Sequence, residues 1–356
     1  MSIKQRIKLG VYTAAKLTGM FKLSRFLMRR RLMILCYHGF QYSDEANFRP
    51  IMFMDKQRFA QRLDLISRGK YPVLPLSEGV LRLKKGTLPA NTVVITIDDG
   101  FYSTLDLAAP LLQEYGFPAT LYVTSYYATK GTPVFPLLIQ YLFWKTECTN
   151  LDLSDHPWFP AKTVDLCNHH ATRQAIQQIM DYGMAHCDEP GRQKICAEVA
   201  ATLNLDFETI KTGRGLSLLT PGELDQLEAF GIDLQLHTHR HSFPANDPEQ
   251  AHREIQDNRN VLEKIPGHRL EHFCYPSGVW TPGLFPILTG EDIVSATTCE
   301  AGMNHQTTNL LALYRILDQD NLEDIEFEAE LTGFCELLRI ILGRCRRNDS
   351  RRTASI

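Results

Sequence analysis

The chain has 356 residues, 44% hydrophobic and 22% charged, with a formal net charge of -3. This is ordinary globular composition with ample apolar material for a core, enough for one large domain or two smaller ones. Its near-neutral balance excludes a global pull toward nucleic acid. The nine scattered cysteines, an odd number with no C-x-x-C, exclude a disulfide scaffold and point to a reducing compartment.

In chain order, residues 1–31 come first as a basic amphipathic segment. Ile3, Ile7, Ala14, Leu17 and Phe21 recur at roughly helical spacing, so a helix is expected over 2–30. Lys4, Arg6, Lys8, Lys16, Lys22, Arg25, Arg29, Arg30 and Arg31 supply its charge, and the segment has no acidic residue. The pattern predicts docking on an anionic membrane surface, with a solvated helix packed on the domain as the alternative. A second basic cluster, five arginines from Gly343 onward in a 336–356 tail, adds to the first reading. Lys8, Lys16 and Lys22 interrupt any apolar leader, so no signal peptide is expected. No window holds ~18 consecutive apolar residues, so no transmembrane helix is expected either. The expected location is the cytoplasm, with the inner membrane face as a peripheral station.

Residues 31–40 then read as a buried strand, 59–70 as a helix, 91–100 as a second strand, 105–116 as a helix closed by Gly116, and 118–127 as a third strand. This alternation predicts an α/β domain with a parallel sheet. Residues 130–215 are irregular and rich in His and Cys, and read as an insertion. Regularity returns at 219–231, where Thr220 caps, Pro221 opens and Gly231 ends a helix. A strand from Ile232 runs into His237–His241, a helix covers 247–265, and further strands are expected at 270–278, 292–298 and 314–320.

Four strand ends carry unusual polar residues: His38, Asp98-Asp99, His237 to His241, and Pro276-Ser277-Gly278. In α/β folds that is where functional groups gather. Two adjacent carboxylates repel unless a cation or shared proton intervenes. With a metal, one ligates and its neighbour stays free as a base; without one, the pair reads as a helix cap. His237 and His241 are spaced for two imidazole ligands after a turn at Ser242-Phe243-Pro244, with His239 as the rival. One carboxylate and two imidazoles leave positions open for water and substrate.

"TIDDG" followed by "HTHRH" resembles the paired metal motifs of the polysaccharide deacetylases, the NodB-homology or carbohydrate esterase family 4 enzymes. "LTPGELDQLEAFGIDLQLHTHRH" is similar to the family's lead into its histidine motif, and "EIQDNRNVLEKIPGHRLEHFCYPSG" to its next helix and strand end. The resemblance covers roughly 32–335 with the insertion outside it. It implies an α/β fold, a distorted (β/α) barrel of the NodB-homology type. It implies Asp99, His237 and His241 as ligands of a divalent metal, zinc first, with cobalt, nickel or manganese as alternatives. Asp98 becomes the general base, Thr238 the brace of the ligand loop, and the Tyr275-Pro276-Ser277 turn the oxyanion donor and substrate wall.

The sequence departs from that family at three places. The arginine that orients the base in many members is replaced by Cys274, the aromatic after the proline by Ser277, and the late Leu-x-His by "LYRILDQD". His38 is the substitute expected for the general acid, as in poly-N-acetylglucosamine deacetylases with an early Tyr-His, and His305 is its rival. Arg315 stands open between a structural role and a partnership with Asp98; Trp280 competes with Tyr275 as the aromatic wall. The implied activity is metal-dependent removal of an N-acyl group, acetyl first, from an amino sugar in a polysaccharide or lipid-linked glycan precursor. The alternatives are an inactive glycan-binding relative, a deformylase or amidase on another small amide, and a metal phosphoesterase.

Overall fold

The computed structural model describes residues 3–343 except 155 and 157–162; the arginine-rich end of the chain lies outside that range. Seven strands form a closed barrel: β1 (Met33–Tyr37), β2 (Val93–Ile97), β3 (Ala119–Val123), β4 (Ile232–Leu236), β5 (His272–Cys274), β6 (Ser295–Ala301) and β7 (Leu313–Leu317). Every barrel pairing is parallel, and β1 closes the ring by pairing with β2 on one side and β7 on the other. The reason is visible in the strand sequences. Runs such as MILCY, VVITI and ATLYV are buried at every position, which only a parallel strand covered on both faces allows.

The ring is not regular. β5 has three residues and meets β4 through a single register pair, Leu236 with Phe273. The β6–β7 register shifts between Thr297 and Ala301. This is the distorted barrel that the family resemblance implied, and because all strands point one way, His38, Asp98, His237 and Pro276 emerge on one rim.

Helices wrap the ring where the local signals place them. Lys56–Arg68 starts on Asp55, whose Oδ1 accepts the amides of Gln57 and Arg58. Pro221–Leu224 starts on a Thr220–Glu223 capping box but continues only as a 3-10 turn to Phe230. The single helix expected over 2–30 is two, Ile3–Leu17 and Met20–Met28. The chain breaks at Gly19, which takes φ +81, a conformation glycine adopts without a Cβ penalty. The break turns Phe21, Ser24 and Met28 inward.

Residues between β3 and β4 build a second apolar core from Phe135–Lys145, His169–His186 and Glu189–Thr202. The backbone bridge Phe101–Leu218 ties it to the barrel rim, and Pro133–Ser217 joins its own two ends.

The turn after β5 is held by close contact. Gly278 has φ +67, and a Cβ there would stand 2.6 Å from the Cβ of Cys299. Gly278→Ala is expected to lower stability by roughly 2–4 kcal/mol, from backbone strain plus overlap, read as a lower urea midpoint with unchanged slope.

Candidate active site

The rim is organised by the end of β2. Asp98 still follows the strand, its N–H bonded to the Tyr37 carbonyl at 2.9 Å. Asp99 takes φ +72 and Gly100 φ +90, so the chain reverses at Asp99 itself. Neighbours that would point to opposite faces of a straight strand are thereby both turned into the rim. Each carboxylate then meets different partners.

Asp98 is buried and faces Arg315 on β7. The guanidinium makes a bidentate pair, Nη1 to Oδ1 and Nη2 to Oδ2, both at 2.7 Å. Arg315 is itself fixed by Nε donating to the Thr298 carbonyl at 2.9 Å. Burial alone would raise the Asp98 carboxyl. The Arg315 charge and hydrogen bonds outweigh it, with His38 and His237 adding to them, and hold the group well below the usual carboxylate range. Asp98 is therefore an ionised acceptor with fixed orientation. The thiols of Cys274 and Cys36 lie 3.4 and 3.6 Å from its Oδ2. Cys274 stands where many family members carry the arginine, and the guanidinium arrives from β7 instead. That settles the open reading of Arg315: it is the partner of Asp98.

Asp99 faces the histidines. Its Oδ1 lies 3.4 Å from Nε2 of His237 and 3.4 Å from Nε2 of His241. Two ligands about 2.0–2.1 Å from one tetrahedral zinc ion stand about 3.4 Å apart, so the spacing fits a shared cation. The tautomer fits as well. Nδ1 of His237 donates to the Cys274 carbonyl at 2.8 Å, which orients Nε2 toward Asp99, where a bound cation would take the place of the proton. The surrounding protein opposes charge on Asp99, yet the His237 hydrogen bond and nearby imidazoles hold its carboxyl down to about 2. His241 is 40% exposed at its outer edge but desolvated at its inner one, and is kept toward its neutral, ligand-ready form. Burial disfavours charge on His237, but Cys274, Asp99 and Asp98 outweigh it; the ring nitrogen facing Asp99 is a place where positive charge is favoured.

The loop geometry explains why His241, and not His239, joins the set. Thr238 and His241 take φ +65 and +55, and the Thr238 hydroxyl accepts the Ser242 N–H at 3.1 Å. His239 is turned away, its Nδ1 on the Ser125 hydroxyl at 2.9 Å. Asn258, which nothing in the motifs marked, joins two strand ends, those of β3 and β4. Its Oδ1 accepts the His237 N–H, and its Nδ2 donates to Val123 O and Ser125 Oγ, at 2.9, 3.0 and 2.9 Å. A signal existed: Ala251, Ile255, Asn258 and Leu262 repeat on one face of the helix Pro248–Leu262, so an amide on the buried stripe demanded a partner.

His38 reaches the same rim, with Nε2 3.9 Å from Asp98 Oδ2 and, among the described residues, no hydrogen-bond partner for its buried Nδ1. His305 sits in its own exposed loop, bonded to Thr307 and Thr308. One expectation is corrected. Tyr275 is fully buried, its hydroxyl on the Leu311 carbonyl at 2.9 Å and its ring among Phe243, Phe273 and Trp280, so it cannot wall a substrate. Trp280 is partly exposed and offers the nearest indole on that turn. Pro276 is buried beneath it, while Ser277 is exposed with φ +54. The Gly278 and Val279 amides bond to the Tyr275 and Pro276 carbonyls, which leaves the Ser277 N–H as the candidate donor in this turn.

The family profile described as "Polysaccharide deacetylase" matches residues 85–289, more than half of the chain and both motifs. The chain belongs to the polysaccharide deacetylase family. Solved structures of similar fold include the Streptococcus pyogenes deacetylase PplD, 18% identical over 85% of this chain and 98% of that one, TM-score 0.55. IcaB from Ammonifex degensii is 16% identical, over 85% and 97%, TM-score 0.53. A de-N-acetylase from Aggregatibacter actinomycetemcomitans is 12% identical, over 85% and 99%, TM-score 0.51. At such identities these likenesses show the deacetylase barrel and nothing finer. No curated protein matches the chain.

The buried pair yields a stability test. Arg315→Met is expected to cost ~3–5 kcal/mol in chemical denaturation, because it leaves the Asp98 charge unpaired. Adding Asp98→Asn to it should recover a large part of that loss, measured as the coupling in a double-mutant cycle.

Proposed function

We propose that this deacetylase removes an N-acyl group, acetyl first, from an amino sugar, using a divalent ion held by Asp99, His237 and His241. The observation that carries the reading is the division of labour between adjacent carboxylates: Asp99 on two imidazoles, Asp98 on a guanidinium. A divalent ion bound there would supply Lewis acidity and a water whose pKa falls toward ~7. Asp98, locked in orientation by Arg315, accepts the proton of the attacking water. The Ser277 N–H is offered to the negative charge that develops on the acyl carbonyl oxygen. His38, whose Nε2 lies 3.9 Å from Asp98 Oδ2, gives a proton to the departing sugar nitrogen. Thr238 and Asn258 hold the histidine loop so that both imidazoles stay convergent.

The substrate we infer is a polysaccharide or a lipid-linked saccharide met inside the cell. All eight described cysteines are unpaired, which fits a reducing compartment. A glycan-binding role without turnover draws support from one observation: Arg315 occupies both oxygens of Asp98 and weakens it as a base.

Metal analysis alongside turnover of N-acetylglucosamine oligomers separates these readings. Wild type should carry about one divalent ion, and His237→Ala with His241→Ala should lose both metal and activity. Asp98→Asn should keep the metal and lose ~10²–10⁴ in kcat; normal activity would remove it as the base. His38→Ala should keep the metal and slow turnover ~10²-fold or more, and an unchanged rate would return the acid role to another group. Stable, metal-free wild type that cannot be reconstituted would overturn the site.

A further inference from the structure

The helix Ile3–Leu17 is packed inside out. Lys8, Tyr12 and Lys16, spaced by four, face the protein. Lys8 Nζ meets Glu326 at 2.7 Å, Lys16 Nζ meets Glu328 at 2.5 Å, and the Tyr12 ring lies edge-on to Phe334. The opposite face carries Ile3, Ile7, Val11, Ala14 and Leu17, one stripe at helical spacing, and all five are exposed. Ile3 is 78%, Ile7 62% and Leu17 83% exposed. A surface helix ordinarily buries its apolar stripe and wets its charged face; here the ion pairs fix the reverse.

The neighbouring helices continue the pattern. On Met20–Met28 the cation Arg25 is turned inward, stacked on Tyr71 with Nη2 on the Gly69 carbonyl, while Leu23, Phe26 and Leu27 are exposed. Phe334–Ile341, which packs against that helix, ends in exposed Ile341, followed by exposed Leu342. Exposed cations border the apolar positions: Lys4 and Arg6 on either side of the first stripe, Lys22 and Arg30 on and after the second helix.

We propose that this outward face lies in the interfacial region of an anionic lipid surface, apolar stripe down and flanking cations among the headgroups. Charge selects the occupant. A second copy of the chain would bring one acid-free basic segment against another, which repels. An anionic headgroup layer neutralises both flanks while the apolar side chains enter the acyl boundary, and Lys and Arg stems reach back to the headgroups. No described helix is long and apolar enough to cross a membrane, so the contact is in-plane. The inference does not depend on the proposed chemistry.

The full-length chain is sedimented with phosphatidylcholine vesicles, with and without phosphatidylglycerol, at low and high salt. Binding is expected to the phosphatidylglycerol vesicles, at least tenfold tighter than to the neutral ones and weakened by salt. Ile7→Glu with Val11→Glu should lower it at least tenfold while leaving the melting temperature and turnover of a soluble oligomer unchanged. Lys4→Glu with Arg6→Glu, at exposed positions that fold does not require, should lower it too and decides the matter if the first variant unfolds. No binding to anionic vesicles, or equal binding by both variants, would overturn the proposal. So would a wild-type dimer in sedimentation velocity that Ile7→Glu with Val11→Glu dissociates.

Discussion

Everything at the rim depends on one buried ion pair, Asp98 with Arg315. The two residues stand on strands β2 and β7, which flank β1 on its two sides, so the pair spans β1 at its exit from the barrel. Taking two charges out of water is expensive, and only a bidentate geometry with further hydrogen bonds offsets it. The fold supplies these: the guanidinium also meets Thr96 and Thr298, and the thiol of Cys274 fills the space beside it. An apolar pair of similar volume would hold the barrel as well. What the ion pair adds is an acceptor of fixed charge and direction next to a second carboxylate.

The second carboxylate works because the first is already neutralised. Two free carboxylates on consecutive residues would repel, and one would take up a proton. With Arg315 committed to Asp98, Asp99 is left to the His237 and His241 rings and any cation they hold. The left-handed turn at Asp99 makes this separation possible, and Thr238 and His241 adopt the same conformation across the site. Left-handed backbone at non-glycine residues costs energy that the surrounding packing must cover. Asn258 does much of that, since one amide side chain holds the exits of β3 and β4 together.

Much of this was legible in the sequence. The seven strands expected from the sequence correspond to the seven barrel strands, and the plainest of them, MILCY, VVITI and ATLYV, are near-continuous apolar runs because a strand buried on both faces has little room for polar alternation. The His237/His241 set was readable from spacing plus the turn at Pro244. Three things were not. The Arg315 contact joins residues 217 positions apart, which no local pattern encodes. Tyr275 sits beside a functional turn, but which way a ring points after a three-residue strand depends on the whole ring of neighbours. The inside-out packing of the first helix was hidden because its periodicity is the same whichever face is buried; only the acidic partners Glu326 and Glu328, far along the chain, choose.

The unit between β3 and β4 enters and leaves the rim almost at one point. Pro133 bridges Ser217, and Val134 donates to Leu216 at 3.1 Å, so chain ends more than 80 positions apart sit side by side. Closing such a loop costs only slightly more as it lengthens. The helical unit supplies most of a second apolar core, to which Ala46, Phe53 and Phe101 of the rim also contribute. A change in its length therefore falls at one point of the rim and not on the strand register. The barrel behaves as a fixed chassis, and this attachment point is where the unit's length can change at little cost to the ring.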